Sequence, residues 1–401
     1  MVPTWSACQI HKAWKYLGVV LGPDGLLSSW HDPCVKYVSR CHDVRQLSLG
    51  FTRSAVLHNR NCLPLLQYMA QFWEPDAHTM KTHKHCIQLL LVAPAQAINH
   101  PMATEMTSLG LGTEFHDLER YSLAARTRLA MRTPQFETAN AAITEACASN
   151  NACLAVVGGP TGLQWYNNSV IGALNRVVLC TRPLVLAMPG TAQGNHKESD
   201  IQKELLKALR SKTNDNDVAK RLAWRAQRWL SPAITGQVVS SLVARRVRIA
   251  GHTLKCWGPS FAVVRMLARG LCTAARFQKD LPCVFGCFLG EDCQKHYVHC
   301  QNFSLALKNV YSSVQLEVPE NTEGNIDWIR VLLCQQDPMT KEEVVRNALI
   351  ADIFVPAHTA ARHAREAGEA IGAEDLVRAR MKAQKVMSTS AGVLYDGLQV
   401  V

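Results

Sequence analysis

The apolar residues of the chain recur mainly at helical spacing. Between residues 31 and 75 an apolar side chain returns every three or four positions, and Pro64 interrupts this rhythm. A second tract of the same kind covers residues 113–132, where Thr113 stands at the position of a helix N-cap. These tracts predict amphipathic helices that each turn one face towards a core.

Later tracts carry the same pattern. Residues 199–212 and 217–230 repeat the helical spacing, and Ser199 is the predicted N-cap of the first of them. Towards the end of the chain, Thr340 is followed three residues later by Glu343. This capping-box pattern predicts the start of an Ala- and Arg-rich helical tail.

Breaks and strand signals complete the predicted elements. Pro356 predicts a kink or a break in the helical tail, because proline removes a backbone donor and crowds the preceding turn. Residues 15–22 are predicted to form one short strand before a Gly-Pro-Asp-Gly turn, and residues 150–195 are rich in Gly and Asn and predict loops. The sequence therefore predicts a mainly α fold with few short strands.

The amino-acid composition indicates the compartment in which the protein is expected. The chain of 401 residues has no run of about 18 uncharged apolar residues, so we expect no membrane span. The N-terminal residues do not have the pattern of a secretory signal, and 15 cysteines are an odd number for a disulfide scaffold. We therefore expect an intracellular protein, cytoplasmic or nuclear and not secreted, whose thiols are reduced.

Positive charge is concentrated in one part of the chain. The formal net charge is +11, and residues 201–280 alone contain 16 Lys and Arg against 4 Asp and Glu, a local sum of +12. A basic block inside an otherwise balanced chain favours a polyanionic partner, with nucleic acid ahead of an anionic membrane surface. We expect RNA or DNA to be bound without sequence specificity, and no membrane to be bound.

The candidate nucleic-acid contacts are arginines with interleaved tryptophans. Arginine pairs with phosphates in a bidentate manner and tryptophan stacks on exposed bases. The alternative is a solvated helix face with its tryptophans, Trp224 and Trp229, turned into the core. The candidate residues are Arg221, Trp224, Arg225, Arg228, Arg245, Arg246, Arg248 and Arg276.

The segment PCVFGCFLGEDCQKHYVHC, residues 282–300, holds four cysteines and two histidines. Zinc prefers four N and S ligands in a tetrahedron, and two close pairs are how a short segment supplies them. The predicted ligands follow the spacing C-x3-C-x8-H-x3-C: Cys283, Cys287, His296 and Cys300. Gly286 suits a knuckle turn within the first pair, and the i, i+4 spacing places the second pair on one face of a helical turn. Four filled positions predict a structural zinc ion rather than a catalytic one.

Other interpretations of this segment stay open. Cys293 and His299 are spare ligand candidates within the same residues. The cysteines could also be buried thiols without a metal ion, in a chain that is rich in cysteine.

Several motifs occur together in a recognisable order. They are KYLGVVLGP (Lys15–Pro23), LPLLQYMAQF (Leu63–Phe72), FHDLERYSLAAR (Phe115–Arg126), GLCTAARFQ (Gly270–Gln278) and the cysteine-histidine segment that follows. The series resembles the part of non-long-terminal-repeat retroelement reverse transcriptases that lies after the palm, especially diverged protist versions. In that family an Arg-Phe motif leads into a cysteine-histidine knuckle with an acidic residue before His-Tyr. Asp292, His296 and Tyr297 fill those places, and Cys293 stands where serine is more usual.

The resemblance implies an organisation and a function. It implies helical thumb-like parts that grip template and primer, so nucleic-acid binding is the expected activity. The carboxylates that a polymerase needs to hold two metal ions are absent before Trp14-Lys15-Tyr16-Leu17-Gly18, so we expect no polymerase activity and an association with a polymerase portion supplied in trans. The implied regions are 1–135, thumb-like and connector; 136–200, loop-rich linker; 201–280, basic helical region; 281–303, CCHC zinc knuckle; and 304–401, linker and helical tail.

Two alternatives belong to other classes of protein. One is a helical protein-interaction module in which zinc only staples the fold and the tail after Thr340 is the docking helix. The other is a degenerate reading frame without a selected function.

Overall fold

The computed structural model of the protein describes residues 14–16, 19–21, 29–91, 97–130, 215–271, 281–287, 290–313, 318–333 and 340–367, and isolated positions between 202 and 279. The predicted cap Ser199, the predicted loops at 150–195 and the candidate Arg276 lie outside these residues. Throughout the described part, helices account for most of the chain. The predicted mainly α fold is confirmed.

The helices follow one another as short and medium elements with one long helix at the end. Two short π-helical turns, His58–Cys62 and Val239–Val243, interrupt the series. In chain order, the α-helices that the described residues form are α1 (His31–Gln46), α2 (Gly50–Leu57), α3 (Pro64–Ala70), α4 (Ala77–Leu91), α5 (His100–Ala103), α6 (Leu118–Ala130), α7 (Asp215–Gln227), α8 (Gly236–Val238), α9 (Ala244–Thr253), α10 (Gly258–Leu267), α11 (Gln294–Tyr297), α12 (Gln301–Ser313), α13 (Trp328–Leu333) and α14 (Lys341–Glu366).

Two strands, β1 (Trp14–Tyr16) and β2 (Val19–Leu21), form an antiparallel hairpin in which Trp14 faces Leu21. The prediction of one strand over residues 15–22 is therefore wrong. Pairing the two halves of the segment with each other satisfies backbone groups that a single strand would leave without partners.

The chain divides into two compact units. The first takes its described residues from Met1–Ser48, Ala55–Leu90 and Phe115–Thr213, and the second from Leu49–Ser54, Leu91–Glu114 and Asn214–Val401. No helix among the described residues combines the length and the apolar character needed to cross a bilayer.

The first unit buries a polar network inside its helical core. On α1 the buried residues Cys34, Tyr37, Cys41 and Val44 recur at helical spacing and define its inner face. The hydroxyl of Tyr37 lies 2.9 Å from Nε2 of His58 and 3.1 Å from Nδ1 of His83.

The break predicted near Pro64 is confirmed, because a π-helical turn ends at Cys62 and α3 begins at Pro64.

The helix predicted from Thr113 begins later, at Leu118. Glu114 is buried and its carboxylate accepts hydrogen bonds from the amide and the hydroxyl of Thr107, at 3.1 and 2.6 Å. Phe115 is also completely buried. These contacts fix residues 113–117 outside a helix, so Thr113 is not the N-cap.

In the second unit, α14 packs along α9, α10 and α13. Its predicted capping box is confirmed: the amide of Glu343 donates to Oγ1 of Thr340 at 3.2 Å, and Oε2 of Glu343 accepts from the amide of Thr340 at 2.9 Å. The predicted break at Pro356 does not occur, because the helix continues to Glu366. Phe354 and His358 are buried on either side of this proline, and their packing holds both halves in one helix.

The region 304–401 is predicted to begin with a linker before the helical tail, but between residues 304 and 338 the described structure contains most of α12 and the whole of α13. Leu307, Ile326 and Trp328 are buried there. The rings of Phe303 and Trp328 stack with centroids 5.8 Å apart, and Phe303 lies 4.6 Å from Phe354 on α14. This aromatic core joins the segment to the last helix and gives it an ordered position.

Candidate metal centre and basic surface

The first half of the cysteine-histidine segment is a tight turn. Gly286 has a φ of +74°, in the left-handed region that glycine enters without strain. Its amide donates to the carbonyl of Cys283 at 3.1 Å, and the amide of Phe285 donates to Sγ of Cys283 at 3.4 Å. The knuckle turn predicted around Gly286 is confirmed.

The second half of the segment returns next to the first. The amide of Cys283 donates to the carbonyl of Gly290 at 2.8 Å, and the amide of Asp292 donates to the carbonyl of Leu281 at the same distance. Cys293 then caps α11, since its Sγ accepts from the amide of His296 at 3.4 Å. These local bonds bring His296 to the turn that carries Cys283.

His296 and Cys300 meet without sharing one helix. α11 ends at Tyr297, and Cys300 immediately precedes α12. The expectation that both project from one helical turn is therefore wrong. The amide of His299 bonds to the carbonyl of His296 at 2.9 Å, and this turn carries the chain round to Cys300.

Three predicted ligands lie together. The ligand atoms of Cys283, His296 and Cys300 all lie within 4.8 Å of one another, and this group could hold a metal ion. The two sulfur atoms are 3.7 Å apart. A disulfide requires about 2.05 Å, whereas two Zn–S bonds of about 2.3 Å at the tetrahedral angle separate their sulfurs by about 3.8 Å. The spacing thus fits two ligands of one tetrahedral ion.

One thiol of the group has a lowered pKa, and its imidazole has a nitrogen without a hydrogen bond. A hydrogen bond to Cys300 raises the pKa of the Cys283 thiol, and the same bond lowers the pKa of Cys300. Nε2 of His296 is buried and has no hydrogen-bond partner in the described structure. A metal ion would bind the thiolate sulfurs and give the imidazole nitrogen a partner, which buried polar atoms generally have.

The other candidate ligands lie outside this group of three. Cys287 is half-buried in the same turn, and its proximity acts to raise the pKa of Cys300. Cys293 acts as the cap of α11, and His299 is exposed. The structure therefore brings together three of the four predicted ligands.

A buried network of acidic and basic side chains lies next to the candidate metal ligands. Asp292 is completely buried, and its carboxylate lies 2.5 Å from Nη2 of Arg365 and accepts a short hydrogen bond from the hydroxyl of Tyr297. His358 approaches the same carboxylate at 3.6 Å. Burial by itself raises the pKa of Asp292, but His358, Tyr297 and Arg365 outweigh this effect and hold the pKa at about 2.

The same network joins the knuckle to α14. Nη1 of Arg365 donates to the carbonyl of Pro282 at 3.0 Å, so a single guanidinium binds both halves of the knuckle. Sequence reasoning missed His358 and Arg365. Both occupy the helical spacing of the buried face of α14, together with Ala351, Phe354 and Ala361, and a basic residue at such a position signals a buried acidic partner.

No protein-family model, curated protein or solved structure matches the chain. The likeness to retroelement reverse transcriptases therefore stays a prediction carried by its motifs. Within those motifs, Asp292 and Tyr297 form the buried network and His296 belongs to the group of three.

Some of the residues predicted to contact nucleic acid are exposed in the structure, and others are buried. Trp224 is 53% exposed, whereas Trp229 is 6% exposed and lies in the core. Arg225 is half-buried. Arg246 is only 7% exposed, and its guanidinium donates to the carbonyl of Leu333 at the end of α13. The prediction of a surface contact at Arg246 is wrong, because this side chain caps a helix inside the unit. Among the described candidate arginines, the exposed ones are Arg221, Arg228, Arg245 and Arg248.

A substitution at Gly290 tests the metal centre without changing a ligand. A Cβ atom at this position would overlap three atoms of the His296 ring. We expect Gly290→Ala to displace the ring and to lower zinc affinity by about 10- to 100-fold, the range for changes beside a metal ligand. Competition with a chromophoric chelator measures this affinity.

Gly324→Ala is the matched control. Gly324 has a positive φ, +73°, as Gly286 does, and the nearest atom to a Cβ there is 3.9 Å away, in Glu320. It should lower stability and leave zinc affinity unchanged. Equal zinc affinity for Gly290→Ala and the unchanged protein would show that His296 is not a ligand.

Proposed function

We propose that the protein is a zinc-stabilised module that binds RNA or DNA without base specificity and does not polymerise. The observation that carries this proposal is the group of Cys283, His296 and Cys300, because its spacing suits one tetrahedral ion and its imidazole nitrogen lacks a partner. The proposal includes a relation to the post-palm part of a retroelement reverse transcriptase, because the motifs around this group resemble that part.

Zinc is the ion that this donor set favours. Two sulfur donors and one imidazole are typical of structural zinc sites. Cys287 would supply the fourth ligand, since it lies in the same turn and already acts on the pKa of Cys300. With Cys287 as a ligand, the four positions would close around the ion and leave none for a reacting water molecule.

Nucleic-acid binding rests on charge and exposure. Arg221 lies on α7 and Arg228 directly follows its last residue, while Arg245 and Arg248 lie one turn apart on α9. All four are exposed, and rigid helices present their guanidinium groups with little loss of entropy on binding phosphate. Because phosphate contacts release counterions, binding should depend steeply on salt.

The first binding experiment measures this salt dependence. With about six phosphate contacts, affinity for a labelled nucleic acid should fall roughly a thousandfold between about 50 and 200 mM salt. Replacing Arg221, Arg228, Arg245 and Arg248 together by glutamine should remove about three to four units from the logarithmic salt slope. Fluorescence anisotropy gives both quantities.

A matched variant separates specific contacts from total charge. Lys36, Arg60, Lys81 and Lys84 are four exposed cations of the first unit. Their replacement by glutamine removes the same charge and should change the salt slope by less than about one unit. Equal effects of the two quadruple variants, or binding that does not respond to salt, would contradict the proposed surface.

The alternative of a docking tail is not favoured by the described part of the tail. In α14 the side chains of Val344, Ala348, Phe354, His358 and Arg365 are buried within the second unit. A helix that contributes this much to its own core has little apolar face left for a partner.

A further inference from the structure

Trp224 and Arg228 form an exposed pair at the C-terminal end of α7. On α7 the residues Leu222, Ala223 and Ala226 are buried and hold the helix to the second unit. Trp224 lies outside this face with 53% of its surface exposed. An exposed indole offers a flat apolar face on which a planar ligand can stack.

Arg228 fixes the exposed ring. It follows Trp224 by one helical turn, and its guanidinium carbon lies 3.7 Å from the centroid of the indole. This cation–π contact restricts the indole before any ligand arrives. More than half of the tryptophan surface stays exposed with the arginine in place, so a flat ligand can still approach it.

The positive charge of the chain around Trp224 favours an anionic ligand. Lys220 and Arg221 are also exposed on α7. From residue 218 to residue 279 the chain has twelve Lys and Arg and no Asp or Glu. A planar aromatic platform in such a field suits a ligand with a negative backbone and a flat ring, which is a nucleotide strand.

We propose that Trp224 stacks on an unpaired base, so that the basic surface binds single strands in preference to duplexes. In a duplex both faces of each base are covered by its neighbours, and only phosphates and base edges remain for a protein. In a single strand any base can turn out and stack on the indole, whatever its identity. This inference rests on the proposed function, since it assigns the kind of nucleic acid that the surface takes.

The test compares Trp224→Ala with the unchanged protein on four labelled ligands: a single strand of about ten nucleotides, within the usual range of site sizes, as DNA and as RNA, and the matching duplexes. For the single strands, affinity should fall about tenfold, which corresponds to about 1.4 kcal/mol and lies within the range for one base stack. For the duplexes it should change less than about twofold, because the phosphate contacts remain. The two single strands show whether RNA or DNA is preferred.

Two further variants serve as controls. Trp224→Phe keeps an aromatic face and should recover most of the lost affinity. Tyr68→Ala removes another exposed aromatic residue, 42% exposed on α3, and should change nothing. Thermal melting of all three variants checks that they are folded.

The outcomes separate this inference from the proposed function. If the unchanged protein binds none of the four ligands, the proposed function fails and the inference fails with it. If it binds single strands and duplexes equally and Trp224→Ala weakens neither, nucleic-acid binding stands and base stacking is overturned. Equal losses of affinity for single strands and duplexes would likewise overturn it. A duplex offers no unpaired base to Trp224, so losing that stack should not weaken duplex binding.

Discussion

Replacing Cys283 by serine should release the zinc ion and destabilise the second unit. Cys283 is completely buried, and its sulfur lies 3.7 Å from that of Cys300, so the substitution removes one of the two paired sulfur ligands. An ion bound at a thousand times its Kd contributes about 4 kcal/mol to folding, and structural zinc often contributes more. We therefore expect the variant to contain no zinc and to melt at a markedly lower temperature, measured by metal analysis and circular dichroism.

Two comparisons separate loss of the metal ion from loss of a buried thiol. The unchanged protein in the presence of a chelator should melt close to the Cys283→Ser variant. Cys256→Ser alters an exposed thiol of the same unit outside the group of three and should leave both zinc content and melting unchanged. If chelator has no effect on the unchanged protein, the cysteines are structural thiols without a metal ion.

Replacing Arg365 by methionine should have the second largest effect. The substitution leaves the carboxylate of Asp292 buried without its cation, and it removes the hydrogen bond to the carbonyl of Pro282. Breaking a buried ion pair from one side typically costs about 3–5 kcal/mol. We expect a loss of this size in the free energy of unfolding, measured by urea denaturation at neutral pH, where Asp292 is ionised.

The same helix supplies the control for Arg365. Arg362 lies 3.8 Å from Glu366, whose side chain is 56% exposed. Arg362→Met should cost less than about 1 kcal/mol, because solvent screens such pairs. The double variant Asp292→Asn/Arg365→Met should recover part of the stability that Arg365→Met loses. A cost for Arg365→Met no larger than that for Arg362→Met would show that the buried pair does not hold the knuckle to α14.

Local patterns predicted the parts of the fold that depend on neighbouring residues. The capping box of Thr340 and Glu343, the break at Pro64 and the turn at Gly286 each depend on backbone geometry within a few positions. The grouping of Cys283, His296 and Cys300 is likewise short-range, since only seventeen positions separate the first from the last.

Long-range packing decided what the sequence patterns did not show. Asp292 and Arg365 are 73 positions apart, and Arg246 reaches a carbonyl 87 positions away. Charge alone gives no sign of which arginine is buried, because a guanidinium can bind a phosphate outside the protein or cap a helix inside it. Residues 304–338 were misread for the same reason: their order comes from aromatic contacts with α14 rather than from a periodic pattern of their own.

The decisive measurement is the metal content of the full chain, purified under reducing conditions without added metal, together with Co²⁺ titration of the metal-free protein. Cobalt shares the tetrahedral site of zinc and gives thiolate-to-metal absorption only when cysteine sulfurs bind it. If the proposed function is right, we expect one zinc ion per chain and a thiolate–cobalt band that is lost in Cys283→Ser and kept in Cys256→Ser. A reduced, folded protein without zinc and without a cobalt band would contradict the metal centre and remove the main support for the proposed function.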